Sequence, residues 1–412
     1  MSEFLKKRRK KIATNLKDNS ILVLLSGEAP VTSADQYYTY TPHRNFYYLT
    51  NIDRPKMAYV VKKVNGKVEE MLFIDTVSAL EEKWSGHRMR AEEATAISGI
   101  KTILPESDLR TTLGRILMTD FIEHAYFDLE RWSYNHSDSI QVEFAKEFKE
   151  KYPFVNVLNV YHNITASRLI KTEDEISQMR TAIEKTRLGI EALMKNSKPG
   201  MTEYQLEAHY DFAIKSEGVK KTSFHTIAAS GKNATILHYD SNSAVMQDGD
   251  LILFDLGCEW NYYCSDISRT FPVNGTFTAR QKDVYNVVLE TNQACIKMLK
   301  PGVEMADVNA FAKAKLAEGC QRLGLIENEE DVTNYYYHSI GHFLGLDTHD
   351  VGGRSRMLKP GMVITIEPGL YIEEEGIGIR IEDDILITED GYINLSESII
   401  KSVEDIEAFM KN

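Results

Sequence analysis

The second half of the chain repeats itself, and a repeat restricts the possible architectures more than any composition does. Lys198-Pro199-Gly200 closes one helix and leads into another, and Lys300-Pro301-Gly302 does the same about a hundred residues later. The spacing predicts helices from Thr172 to about Lys195, from Met201-Thr202-Glu203 to near Gly218, from near Ala279 to the second Pro-Gly, and a successor ending near Gly319. Each pair is followed by a turn and an apolar strand that ends in an acid, Asp248-Gly249-Asp250-Leu251-Ile252-Leu253-Phe254-Asp255-Leu256-Gly257 and Pro360-Gly361-Met362-Val363-Ile364-Thr365-Ile366-Glu367-Pro368-Gly369. In register, Gly249 falls on Gly361, Gly257 on Gly369 and Asp255 on Glu367. A following strand in each copy brings a second acid, Asp266 or Glu382. Two copies about a pseudo-twofold axis would gather all four carboxylates at its centre.

An isolated acid at the end of a buried strand is expected to pair with an arginine or to cap a loop. Four at matched positions exceed what the one nearby arginine, Arg380, can neutralise, and a buried carboxylate without compensation costs several kcal/mol. Divalent cations are the remaining solution. Oxygen ligands with one imidazole suit Mn²⁺, Fe²⁺, Co²⁺ or Zn²⁺. The stretch from His338 to Asp350 supplies His338, His342 and His349, three of the chain's 11 histidines. His338 and His342 have the i, i+4 spacing of a zinc-binding helix, but no Glu follows His338 and Gly341 and Gly345 disfavour a helix. His238, expected at a strand end before the first acid strand, reads on its own as a packed or surface histidine. Paired ions sharing an acidified water would make hydrolysis the natural chemistry.

The first 165 residues alternate apolar runs, Ile21–Leu25, Met57–Val61 and Met71–Ile74, with polar and helical stretches, which predicts a smaller α/β domain. The boundary is expected at 165/166. The basic run Lys6–Lys11 accompanies Leu5, Ile12 and Leu16 at helical spacing, so its charges are expected on a solvated helix face. A net charge of −13 over 412 residues opposes a nucleic-acid partner. No apolar run reaches the roughly 18 residues of a membrane span, and no signal segment opens the chain. Four cysteines without Cys-x-x-Cys spacing suit reduced thiols. The expectation is a cytoplasmic protein without a membrane partner.

Asp255-Leu-Gly with Asp266 eleven residues on, His342 within His-Ser-Ile-Gly-His-Phe-Leu-Gly, Glu367-Pro-Gly, and Arg380-Ile-Glu382-Asp together resemble the metal-binding signature of the pita-bread metallopeptidases. The likeness extends over nearly the whole chain, and it is to the proline-specific branch, aminopeptidase P and Xaa-Pro dipeptidase. It implies an α/β (α+β) protein: a creatinase-like N-terminal α/β domain over 1–165, then a pita-bread catalytic domain of duplicated helix-helix-strand units over 166–412. It implies that Asp255, Asp266, His342, Glu367 and Glu382 bind two divalent ions, manganese being usual in the family, with Asp266 and Glu382 bridging. It further implies that His238 and His349 contact substrate and stabilise the transition state, that His338 binds substrate, that Arg380 supports catalysis and that Glu367 helps activate a metal-bridging hydroxide.

Arg354-Ser355-Arg356, and Asp35 eleven residues before Phe46, resemble aminopeptidase P more than the dipeptidase, with Asp35 at the substrate's amine and Arg354 and Arg356 in substrate binding. An exposed loop is an equal reading of the two arginines. The implied activity is release of the N-terminal residue from peptides with proline second. The alternatives are a dipeptidase confined to Xaa-Pro dipeptides and a non-catalytic binding protein of the same fold. Resemblance also implies a homodimer or homotetramer.

Overall fold

The computed structural model describes residues 2–353 and 357–411. The chain forms two compact units, Met1–Arg168 and Leu169–Asn412.

Unit 1 is built on a six-stranded mixed sheet in the order Thr102–Pro105, Lys67–Ile74, Ala58–Val64, Ser20–Leu25, His124–Phe127, Asn156–Asn159. Every residue of Ser20–Leu25 is buried, as a central strand covered on both faces requires. Ile21, Val23, Val60 and Phe73 pack there with Phe127, Phe144 and Phe148.

The N-terminal helix, Ser2–Asn15, departs from expectation on its charged side. Arg8 and Arg9 are buried. Arg9 donates to the carbonyls of Leu49 (3.1 Å) and Ser98 (2.8 Å) and pairs with Glu70 at 2.7 Å, while Arg8 donates to the Tyr48 carbonyl and lies over its ring. Helix C-termini and loop ends leave carbonyls without intrahelical partners, and these guanidinium groups satisfy them.

Unit 2 contains the duplication. Its four long helices are Glu173–Asn196, Glu203–Ser216, Ala279–Lys297 and Met305–Arg322. Thr172 and Glu175 form a capping box at the first, and Thr202 and Gln205 at the second. The two halves repeat backbone bonds as well as sequence. Gly200 N–H donates to Met246 and Gly302 N–H to Leu358, each at 2.9 Å, and the isolated bridges Thr202–Val245 and Glu304–Met357 occupy matching places.

The first half's sheet runs Ile267–Pro272, Leu251–Leu256, Ile227–Ser230, all antiparallel. The second half pairs Val363–Ile366 with Asp383–Ile387, and Phe343 bridges to Ile364 where Ser230 meets Ile252 in the first. Tyr392–Asn394 is the third strand of that sheet, and Gly369–Ile372 with Ile377–Arg380 forms a separate hairpin. Asp266 and Glu382 do not lie within strands: each immediately precedes one, Ile267–Pro272 and Asp383–Ile387. His238 lies beyond the 3₁₀ turn Gly231–Thr235, eight residues after the strand Ile227–Ser230 ends, and not at a strand end.

A candidate metal centre

The matched acid positions of the two halves meet. Oxygens of Asp266 and Glu382 and a ring nitrogen of His342 all lie within 4.8 Å of one another. Asp266 is 4% exposed and Glu382 2%. Glu367 joins them, with its Oε1 3.7 Å from His342 Nε2, and Asp266 Oδ2 lies 3.3 Å from the same nitrogen.

His342 is placed by strand-like bonding and not by a helix. Thr365 N–H donates to the His342 carbonyl, Glu367 N–H to that of Ile340, and His342 N–H to Thr365 Oγ1. Gly341 is what permits this approach, since a Cβ there would stand 2.0 Å from the Thr365 carbonyl oxygen. Gly257 does the same beside Asp255 and Asp266, where a Cβ would stand 1.9 Å from the Ser265 carbonyl oxygen.

The hydrogen-bond roles around His342 define what the cluster lacks. Nδ1 lies 3.0 Å from the Phe343 carbonyl, which can only accept, so Nδ1 carries the ring proton. Burial, and after it the neighbouring His349, lowers the His342 pKa to about 4, so the ring is neutral near pH 7. Nε2 therefore presents a lone pair to two carboxylates. Acceptor facing acceptor is repulsive unless a proton or a metal cation lies between them.

The acids give the same indication. Burial, then the charges of Glu382, Asp255, Asp384 and Glu367, drives the Asp266 pKa well above the usual carboxylate range. Burial, then Glu367 and Asp255, does so for Glu382 against the opposing charge of Arg380. Burial pushes Glu367 up to about 8, with Arg380 pulling down and Asp255 adding to the rise. A divalent cation reverses all of these costs together.

Arg380, the one arginine near the acids in sequence, satisfies part of this charge. Its Nη2 donates to Asp255 Oδ2 at 2.7 Å, its Nε to Ser268 Oγ at 2.8 Å and its Nη1 to the Tyr371 hydroxyl at 3.0 Å. The Ser268 hydroxyl in turn donates to Glu382 Oε2 at 2.7 Å. The other oxygen of Asp255, Oδ1, is buried with no hydrogen-bond partner among the described residues. One oxygen held by arginine and one left over suits a carboxylate that completes its coordination with a metal.

Ser268 and Tyr371 were not singled out from the sequence. Ser268 lies two residues beyond Asp266, and Tyr371 two beyond Gly369, which pairs with Arg380, so strand alternation was the signal available. Tyr371 also donates to His338 Nε2 at 2.8 Å, because His338 Nδ1 is committed to the Ser339 carbonyl.

His349 is exposed, and its ring stands edge-on to His342 with centroids 4.4 Å apart. The next residue, Asp350, pairs with Lys171 at 2.9 Å, both side chains being 1% exposed. His238 is exposed, and its charge contributes, after burial and Arg380, to lowering His338 to about 4. Asp35 is exposed in the turn between Val31–Ser33 and Gln36–Tyr37, within unit 1. Arg354 and Arg356 lie outside the described residues.

Two duplicated half-units with a buried acid-and-imidazole centre define a divalent-metal hydrolase with the pita-bread fold. The profile of metallopeptidase family M24 matches residues 177–389, that of the aminopeptidase P N-terminal domain matches residues 5–122, and the chain belongs to this family. The Xaa-Pro aminopeptidase of Escherichia coli strain K12 is 35% identical over 98% of this chain and 96% of its own length. Among solved structures, a Bacillus anthracis protein assigned provisionally to aminopeptidase P superimposes with a TM-score of 0.98 at 49% identity, over 100% of this chain and 98% of that one. The Escherichia coli aminopeptidase P with the inhibitor Pro-Leu gives 0.91 at 32% identity, with the same coverage.

Proposed function

We propose that this chain is an Xaa-Pro aminopeptidase, releasing the N-terminal residue from peptides whose second residue is proline. The observation that carries the reading is the buried convergence of Asp266, Glu367 and Glu382 on the His342 Nε2 lone pair, a donor set that suits a divalent cation. Asp255, Asp266, His342, Glu367 and Glu382 would hold two divalent ions, manganese by the family resemblance, with Asp266 and Glu382 shared between them. When bound, such ions polarise a carbonyl and lower the pKa of water toward neutrality.

The chain's own groups do the rest. Glu367 would accept the proton of the attacking water, Arg380 orients Asp255, and the Tyr371 hydroxyl fixes His338 with its Nε2 as acceptor. His238 and His349, both at the exposed side, offer imidazoles to the substrate and to the oxyanion that forms at the carbonyl. Residues 166–412 carry this chemistry. The resemblance assigns the substrate's free amine to Asp35 and part of its recognition to Arg354 and Arg356, which Asp35→Asn and Arg354→Ala test by a raised KM.

Proline removes the amide N–H and fixes φ, so its amide bond needs a dedicated site. Pro-Leu, bound to the Escherichia coli relative, is what remains when the first residue leaves Xaa-Pro-Leu, which supports an aminopeptidase over a dipeptidase. Among the described residues no helix is long and apolar enough to cross a membrane, and all four cysteines are free and buried. Reduced thiols support a cytoplasmic location, and the resemblance supports a homodimer or homotetramer. The decisive assay pairs metal analysis with hydrolysis of Xaa-Pro and Xaa-Pro-Xaa peptides. Metal-dependent cleavage of the longer peptide is expected, and activity confined to the dipeptide overturns the proposal.

A further inference from the structure

Glu203 is the third residue after Gly200 and is 0% exposed, yet it lies outside the metal cluster. Its Oε1 accepts from Ser230 N–H (2.7 Å), Ser230 Oγ–H (2.7 Å) and Asn233 Nδ2 (3.1 Å). Its Oε2 accepts from the Tyr239 hydroxyl and the Ala244 N–H, both at 2.9 Å. Among the described residues no lysine, arginine or histidine forms an ion pair with it. One buried carboxylate thus ties together both ends and the middle of residues 230–244, the segment that carries His238.

The other half of the duplication shows that the fold does not require this acid. By the register of the matched bridges, Glu203 corresponds to Met305 and Ser230 to Phe343. Met305 and Phe343 belong to one hydrophobic cluster. An apolar pair therefore fills the same place, and a buried charge with five donors is the more demanding choice there. What differs locally is the segment being held. Leu237 and Tyr239 pack inward on the cluster of Ile227, Ala229, Leu253 and Tyr371, while His238 between them projects outward and is exposed. One turn along the helix, Glu207 accepts from Asn242 Nδ2 at 2.9 Å, and Asn242 has the left-handed φ of 45° that turns the segment back.

We propose that Glu203 is a positioning residue for His238: its carboxylate fixes Tyr239 and the 230–244 backbone so that the imidazole stands ready for substrate. This rests on the reading of His238 as a substrate-contacting group. Displacement of a reacting group by about 1 Å can lower turnover on the order of 100-fold.

The test is a double-mutant cycle in the metal-loaded protein, with Glu203→Gln and His238→Ala, read by kcat/KM on an Xaa-Pro-Xaa peptide. Glu203→Gln is expected to lower kcat/KM by about 10- to 100-fold in the parent, chiefly in kcat. In the His238→Ala background it is expected to cause less than about a twofold change, with metal content preserved in both. Equal losses in the two backgrounds, or no loss in the parent, overturn the proposal. Tyr239→Phe removes a single donor and keeps the test open should Glu203→Gln fail to fold, with the same non-additivity at smaller size expected. Hydrogen exchange across 230–244 reads the anchoring without substrate, and unchanged protection in both variants overturns it. If His238→Ala retains full activity, the substrate role of His238 falls, while exchange still judges whether Glu203 holds the segment.

Discussion

Replacing Lys171 by methionine breaks the buried ion pair with Asp350, directly after His349. At 2.9 Å the attraction between the two charges is about 6 kcal/mol for an effective dielectric of about 20. Dehydration offsets much of this while both partners are present, and breaking a buried pair of this kind costs up to about 3–5 kcal/mol. For a unit of the size of Leu169–Asn412 that corresponds to a fall in Tm of about 6–20 °C. A thermal melt of the metal-loaded protein reads it directly. The double variant Lys171→Met, Asp350→Leu is expected to recover most of the loss, since an apolar pair of similar volume replaces the ion pair. Turnover of Lys171→Met should fall further than its metal content, because the displaced backbone carries His349. A melt within about 2 °C of the parent, or a double variant as unstable as the single, would refute the electrostatic account.

Chelation is expected to destabilise the protein more at pH 8 than at pH 5. The buried acids have folded pKa values above their unfolded ones, Glu367 reaching about 8, so the folded metal-free state holds more protons and loses stability as pH rises through that window. Melts with and without chelator at the two pH values check the sign. Gly257→Ala is expected to lower metal content and to cost about 1–3 kcal/mol, since its Cβ cannot coexist with the Ser265 carbonyl; full metal occupancy in that variant would contradict the close-approach argument. Arg9→Ala is expected to destabilise unit 1 by about 2 kcal/mol or more through the carbonyls of Leu49 and Ser98 it leaves buried, whereas a solvated basic face predicts almost no change in the melt.

Much of the metal centre was legible because a duplication writes the same structural problem twice. Asp255 and Glu367 could be compared in register, and the backbone bonds at Gly200 and Gly302 follow that register. The burial of Arg8 and Arg9 was not legible, because the carbonyls they meet belong to segments about 40 and 89 residues away and helical periodicity carries no information about them. His238 looked like the end of a strand, but the 3₁₀ turn and the left-handed Asn242 depend on Glu203 and Glu207 from another helix. Ser268 and Tyr371 are ordinary polar residues until alternation and pairing put them on the side of Arg380. Local patterns specify elements and matched positions, while partners chosen across the fold become visible only in three dimensions.

The pseudo-twofold arrangement also imposes a timetable. Two of the five side chains come from the first copy and three from the second, with Glu382 the last of them in chain order. During synthesis neither copy by itself can enclose an ion, and the incomplete centre is a set of mutually repelling acids. Closure of the acid cluster must therefore wait until Glu382, in the second copy, has emerged, so a cation held there acts as a late fastener between the two copies.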